Sequence, residues 1–163
     1  ERPLMSNKPS TRNPVMAKQF LLVDAHNVIF ARPDLAACHR RSPATAREEL
    51  VRVLERHQDA TGTRVVVVFD GGSGAKASSD LSGAAGVQVI YPQAGQSADA
   101  IIERLVLKYA GTHGLTVATN DNLIRTAAVA AGASTIGVET LFEETERAEK
   151  EMRGTLEQLR RKR

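Results

Sequence analysis

The chain has 163 residues, 42% of them hydrophobic and 25% charged, which suits one globular domain with a sizeable core. A single cysteine, Cys38, excludes an internal disulfide, and the four scattered histidines lack zinc-binding spacing. Aromatic residues make up only 4%, which argues against a protein that grips nucleic acid mainly by stacking bases on rings.

The net charge of +3 is unevenly distributed. Residues 1–18 carry +3 and residues 160–163 carry +4, so the rest of the chain carries −4. The ends are basic and the body is mildly acidic. Overall charge therefore gives weak support for nucleic-acid binding, and local patches have to provide it.

The pattern predicts three segments. Residues 1–18 contain three prolines and no periodicity, which favours a disordered tail. Residues 19–159 form the predicted single domain, and residues 160–163 a basic tail. No apolar run approaches the ~18 residues of a membrane span, and the start lacks the apolar centre of a signal peptide. We expect a cytoplasmic protein with no membrane partner.

The first element in chain order is an apolar strand, Phe20–Asp24, followed by a predicted loop that contains Pro33 and Pro43. Thr45–Ala60 has helical spacing of its apolar residues. We expect Thr45 to cap this helix, with Glu48 completing a capping box, and Gly62 to end it.

The strongest strand is Arg64–Asp70, whose four consecutive valines indicate burial on both faces. Gly71–Gly86 is predicted to be a flexible loop. Its glycines superficially resemble a phosphate-binding loop. We reject that motif because no Gly stands directly before Lys76. Val87–Tyr91 is the third strand.

The remaining segments continue the alternation of helices and strands, which implies parallel pairing with right-handed crossovers. The sequence predicts an α/β fold, a three-layer αβα sandwich with an open, mainly parallel sheet of about five strands. The narrow apolar stripe of the last helix fits packing on the domain or on a partner helix, hence a monomer or weak homodimer. The predicted segments after the third strand are helix Ser97–Ala110, strand Leu115–Thr119, helix Asn120–Ala131, strand Ala133–Gly137 and helix Val138–Leu159.

Four carboxylates follow strands of this predicted sheet. Asp24 and Asp70 end strands, Asp121 follows the fourth strand, and Asp99 opens the helix after the third. Because the carboxyl ends of parallel strands share one edge, we expect these acids to converge. Convergent carboxylates repel unless a proton or a divalent cation neutralises them, and oxygen ligands suit Mg²⁺ or Mn²⁺. Such ions promote phosphodiester hydrolysis.

Polar and basic neighbours extend this edge. The amide of Asn27 is placed to orient a carboxylate, a water or a phosphate. Cations of the following loop are either RNA contacts or a solvated surface. The candidate RNA-binding residues are Arg32, His39, Arg40, Arg41, Thr119 and Asn120.

Each acid also has a purely structural interpretation. Asp70 precedes two glycines and suits a turn, Asp99 favours a helix dipole, and Asp121 is a natural N-cap. Taken singly, these interpretations are adequate. The shared order and edge of all four acids favour a metal site.

Four motifs together resemble the YacP-like branch of NYN domains, which are PIN-like ribonucleases. They are LLVDAHNVI at 21–29, VVVFD at 66–70, SADAIIERL at 97–105 and VATND at 117–121. The resemblance implies metal ligation by Asp24, Asp99 and Asp121, with Asp70 in or near the site and a polar role for Asn27.

One branch of this family resembles a ribosome-associated endoribonuclease that acts on mRNA, which makes RNA the implied partner and the ribosome a second one. The chain departs from the family pattern at Ala25 and His26, where Gly and Tyr are common, and at Asn120, where Ser is common. No departure removes a carboxylate.

We therefore predict a metal-dependent endoribonuclease that hydrolyses single-stranded RNA. The alternative is a non-catalytic RNA- or ribosome-binding module on the same fold. A phosphatase of the haloacid-dehalogenase type needs a second Asp two residues after the first, and His26 occupies that position.

Overall fold

The computed structural model describes residues 19–71 and 86–162. The strands are β1 (Gln19–Asp24), β2 (Arg64–Val68), β3 (Gln88–Ile90), β4 (Gly114–Ala118) and β5 (Ser134–Ile136). The helices are α1 (Ala25–Ala31), α2 (Pro33–Arg41), α3 (Pro43–Thr61), α4 (Ala98–Tyr109), α5 (Asn122–Ala130) and α6 (Val138–Arg161). The predicted tail 1–18, most of the predicted loop (72–85) and Arg163 lie outside the described residues.

The five strands form one parallel sheet in the order β3-β2-β1-β4-β5. In its centre, Val23 of β1 pairs with Val67 of β2 on one side and with Ala118 of β4 on the other. The chain builds outward from β1 to β3 and then returns to place β4 on the opposite side of β1. The strand order therefore reverses between β1 and β4, the type of position where open α/β folds bind ligands.

Alternate residues of the central strands enter two separate cores. Phe20 and Leu22 pack with residues of α4 and α5, while Leu21 and Val23 pack with residues of α1, α3 and α6. Residues 65–68 of β2 are buried and divide between the same two cores. This arrangement confirms the predicted three-layer α/β sandwich and the two-sided burial of the valine run.

The predicted loop with Pro33 and Pro43 is wrong, because this region forms α1 and α2. The two prolines are the first residues of α2 and α3. Proline is favoured there because its missing N–H has no partner in the first turn of a helix. The prolines therefore mark helix starts here.

The N-cap predicted at Thr45 is also wrong. Helix α3 begins two residues earlier, and the Ser42 hydroxyl accepts a hydrogen bond of 3.2 Å from the Thr45 backbone N–H. Glu48 consequently lies beyond the first turn, where no capping box forms. Gly62 ends the helix as predicted, in a left-handed conformation with φ of 77° that glycine adopts without a Cβ clash.

Helix α6 has two halves with different surroundings. Leu141 and Thr145 in its first half are buried, whereas residues 150–162 are all exposed. The helix continues to Arg161, so Arg160 and Arg161 are helical and do not belong to a separate tail. Within residues 19–71 and 86–162, no helix has the length and apolar content to cross a membrane.

Candidate active site

The acidic edge forms where the strand order reverses. Asp24 is the last residue of β1, and Thr119, Asn120 and Asp121 follow β4 directly. Asp70 lies two residues beyond β2. The parallel sheet thus places the ends of β1, β2 and β4, and the acids at or just beyond them, along one edge.

Asp24 is the buried acid of this edge, with only 3% of its surface exposed. Burial raises the pKa of its carboxyl because a charge loses hydration in the protein interior, and the nearby negative charge of Asp99 raises it further. The Thr119 hydroxyl, the Asn27 backbone and His26 lower this pKa but do not cancel the effect of burial. The ionised form of Asp24 is therefore unfavourable, and a bound proton or cation would neutralise its charge.

Thr119 connects the two sides of the reversal. Its hydroxyl donates to Asp24 Oδ2 at 2.9 Å and accepts a hydrogen bond from the Asp121 backbone N–H at 3.0 Å. We expected Thr119 to bind RNA, but it is fully buried and its hydroxyl is used inside the protein. Its role in this structure is to orient Asp24 and the turn that carries Asp121.

Asn27 and Asn120 form a second connection across this edge. The Asn120 backbone N–H donates to the Asn27 side-chain oxygen at 2.6 Å, and the Asn120 side-chain oxygen accepts from the Val138 backbone N–H at 2.9 Å. These bonds join α1, the β4–α5 turn and the start of α6. Both side-chain oxygens are used in these bonds. The predicted contact of Asn27 with a ligand, and that of Asn120 with RNA, would therefore have to use the side-chain N–H groups.

Asp121 caps α5 through one carboxylate oxygen. Its Oδ1 accepts hydrogen bonds from the backbone N–H groups of Leu123 and Ile124 at 2.8 and 3.2 Å. Among the described residues, nothing donates to its Oδ2. The structural interpretation as an N-cap is confirmed, and the second oxygen is still available for a ligand.

The other two acids are exposed. Asp70 forms an ion pair with His26, whose Nδ1 lies 3.5 Å from Asp70 Oδ2. Asp99 lies in the first turn of α4, where Ser97 provides the cap, so the carboxylate of Asp99 is not needed for that purpose. Its negative charge is near enough to Asp24 to raise the pKa of that carboxyl.

The family resemblance implies a divalent cation at this edge, held by carboxylate oxygens. In the described part of the chain, no three His, Cys, Asp or Glu side chains are close enough together to enclose a metal ion. The donor chemistry nevertheless fits Mg²⁺ or Mn²⁺, because every candidate is a hard oxygen ligand. Mg²⁺ commonly keeps several waters and is held by one or two carboxylates, so its binding does not require a cluster of three.

The predicted basic residues have different surroundings. Arg32 lies over the Phe142 ring, 4.0 Å from its centroid, and its Nε is buried without a hydrogen bond from the described residues. Arg40 and Arg41 are exposed in the last turn of α2. Arg32 therefore joins α6 to the domain, while Arg40 and Arg41 present charge to solvent.

Sequence reasoning missed Arg125. Its guanidinium donates to the Thr119 backbone oxygen at 3.1 Å and so supports the turn between β4 and α5. Its spacing of four residues from Asp121, one turn into the helix, was the available signal. That signal is weak, since many helical arginines are solvated.

The fold and this edge define a PIN-like, nuclease-type domain. The family model for the YacP-like NYN domain matches residues 21–163, and the chain belongs to this family. The uncharacterized protein YacP of Bacillus subtilis (strain 168) is 33% identical over 136 residues, covering 80% of this chain and 76% of that protein.

Two crystal structures of Rae1 (YacP) from Bacillus subtilis show the same fold. The W164L mutant superposes with a TM-score of 0.70 at 29% identity, over 86% of this chain and 83% of that one. The second structure gives a TM-score of 0.69 at 29% identity, over 86% and 81%. These likenesses support a nuclease-type role related to RNA.

Proposed function

We propose that the protein is a divalent-metal-dependent endoribonuclease that hydrolyses phosphodiester bonds in single-stranded RNA. The observation that carries the proposal is the buried carboxylate of Asp24 at the strand-order reversal, whose pKa is raised by burial and by the negative charge of Asp99. A fold gains nothing in stability from an ionised, buried acid next to a second acid. Such a pair is instead typical of a site whose charge is completed by a ligand.

Asp24, Asp99 and Asp121 would hold Mg²⁺ or Mn²⁺ in this proposal. When bound, the cation would offset negative charge on the phosphate and make a water more acidic. Asp121 would contribute its Oδ2, because Oδ1 is occupied by the N–H groups of α5. A water-rich shell is consistent with the absence of a closed three-residue cluster among the described residues.

The protein's own groups position the reactants. Thr119 fixes the carboxylate plane of Asp24. Asn27 is anchored through its oxygen, which leaves its amide hydrogens to contact a phosphate or a water. Asp70, paired with His26, borders the same edge. Arg40 and Arg41 would attract the RNA backbone through charge.

Single-stranded RNA is the proposed substrate because the acidic edge lies open at one rim of the sheet. Hydrolysis there requires one strand to present its backbone without a paired second strand. Ribosome association, implied by the family resemblance, would add a surface that presents mRNA as a single strand. The exposed second half of α6, with Arg153, Arg160, Arg161 and Lys162, offers positive charge for ribosomal RNA.

A cleavage assay on purified protein tests the proposal. Fluorescent single-stranded RNA is incubated with Mg²⁺, with Mn²⁺ or with EDTA, and the products are separated on a gel. Asp24→Asn and Asp121→Asn should each lose at least about 100-fold in rate, the scale of removing a key electrostatic group. Asn remains a good N-cap, so Asp121→Asn should fold. Asp59→Asn, on the exposed surface of α3, is the matched control.

Two results would contradict the proposal. Equal cleavage by the wild type and both variants would indicate a contaminating nuclease. Cleavage that continues unchanged in EDTA would exclude the metal dependence.

A non-catalytic RNA- or ribosome-binding module is the second candidate. The observation in its favour is that no three-residue metal cluster forms among the described residues. It predicts RNA or ribosome binding that survives EDTA and yields no cut product. Activity abolished by Asp24→Asn would exclude it.

A further inference from the structure

A small cavity lies beside the acidic edge and shares Asp70 and His26 with it. Its volume is about 210 Å³. That is below the roughly 300 Å³ at which pockets begin to enclose a whole drug-sized ligand, so the space suits one ring system. Its walls include His26, Phe30, His39, Arg47, Phe69 and Asp70.

Aromatic rings line one side of this cavity. The Phe30 ring contacts His26, 4.7 Å away between centroids, and His39, 4.8 Å away. Phe30 is 48% exposed, although most phenyl rings of a small domain are buried in the core. Phe69, another residue of the cavity wall, is buried and stacks on Tyr91 with 5.3 Å between the ring centroids. The cavity therefore offers ring surface to a planar ligand.

The polar groups of the cavity complement this ring surface. Arg47 is half-buried and has no ion pair or hydrogen bond with any other described residue. Its guanidinium is a fork of donors, and the Asp70 carboxylate is an acceptor already paired with His26. A heterocycle with both acceptors and donors on its edge matches these two groups. A simple hydrocarbon would leave both unsatisfied.

The position of the cavity links it to the acidic edge. His26 follows Asp24 by two residues, and Asp70 belongs to both the edge and the cavity. A base seated here would place its own backbone beside the carboxylates.

We propose that the cavity formed by Phe30, Arg47 and their neighbours binds one nucleobase of single-stranded RNA, stacked on Phe30 and contacted by Arg47. This inference rests on the proposed RNA substrate. Stacking on one ring also agrees with the low aromatic content, because a single platform needs few aromatic residues.

Abasic RNA provides a direct test. Fluorescein-labelled RNA octamers, each with one abasic position, are titrated with protein in EDTA so that binding is measured without cleavage. For the wild type, removing the base that occupies the cavity should weaken binding roughly 10- to 100-fold, the range for one base–aromatic stack. Phe30→Ala should bind intact RNA that much more weakly and should lose nothing further at the same abasic position.

Control variants separate this effect from a general loss of structure. Phe30→Tyr keeps the ring and should retain wild-type affinity. Leu107→Ala removes an apolar side chain on α4 that is more exposed than Phe30, at 76% against 48%, and should change nothing. Circular dichroism verifies that each variant is folded.

The inference is overturned if no abasic position distinguishes the wild type from Phe30→Ala, or if the wild type shows no measurable RNA binding. The nuclease proposal fails independently, in the cleavage assay. A protein that cuts RNA but shows no coupling between base and Phe30 retains the nuclease and loses the subsite. A protein that shows the coupling and cuts nothing retains the subsite alone.

Discussion

The Thr119 hydroxyl donates a 2.9 Å hydrogen bond to Asp24 Oδ2, between residues 95 positions apart in the chain. This bond joins the ends of β1 and β4 at the point where the strand order reverses. Since both residues are buried, water cannot replace either partner. The Thr119 hydroxyl therefore orients the carboxylate together with the backbone N–H of Asn27.

Thr119→Val should remove this bond at nearly constant volume. We expect a loss of about 1–3 kcal/mol in the free energy of unfolding, because the Asp121 N–H also loses its acceptor. The pKa of Asp24 should rise further, and RNA cleavage should fall. Thr119→Ser keeps the hydroxyl and should retain both properties, and Thr116→Val, within β4, is the control. Unchanged stability and cleavage in Thr119→Val would show that the bond is unimportant.

Asp24→Asn should make the protein more stable at neutral pH while it abolishes cleavage. The folded-state pKa of Asp24 is raised above the ordinary value of 3.8, so folding favours the protonated carboxyl. The resulting stabilisation is complete below the unfolded-state pKa and is lost as the pH rises through the folded-state pKa. Urea denaturation at pH 4 and pH 7 should show an advantage of Asp24→Asn that grows with pH. A wild type more stable than the variant at pH 7 would refute this.

Mg²⁺ or Mn²⁺ should stabilise the wild type more than Asp24→Asn. A ligand that binds only the folded state adds about 2.7 kcal/mol at 100 times its dissociation constant. For a domain of this size, each kcal/mol corresponds to roughly 2–4 °C in Tm. Thermal melts with and without the cation measure the shift, and Asp59→Asn should behave as the wild type. Equal shifts in the wild type and Asp24→Asn would place any bound metal elsewhere.

His57 should make the protein less stable in mild acid. It is buried, and its Nδ1 lies 2.8 Å from the hydroxyl of Thr145, which itself donates to the Leu141 backbone oxygen. His57 therefore donates through Nδ1, which in the neutral ring is the nitrogen that carries the hydrogen. Burial lowers the pKa of His57, against a smaller opposite effect of Glu144.

Because this pKa is lowered, the stabilisation is present above the unfolded-state value of 6.5 and is lost as the pH falls through the folded-state pKa. His57→Gln should flatten the dependence of unfolding free energy on pH below about 6.5. An unaltered pH profile in His57→Gln would assign the acid sensitivity to other groups.

Some elements could be predicted because their determinants are local. The four valines of β2 require burial on both faces whatever surrounds them, and Ser97 starts α4 by capping its own first turn. The Pro33 and Pro43 region was misjudged because α1 and α2 are short, at 7 and 9 residues, and hardly show a period. At the start of α3, Ser42 and Thr45 are both residue types that favour the N-cap position. Because the helix begins at Pro43, Ser42 is the N-cap.

The sequence by itself determined that acids follow several strands, and parallel pairing then requires them to share an edge of the sheet, since all strands point the same way. Tertiary structure alone decided how each acid is held. Burial makes Asp24 costly to ionise, and Thr119 orients its carboxylate. Asp121 uses one carboxylate oxygen to cap α5 and, among the described residues, leaves the other free. Those differences arise from contacts between distant segments, and distances across a sheet are not encoded in the spacing of residues along a chain.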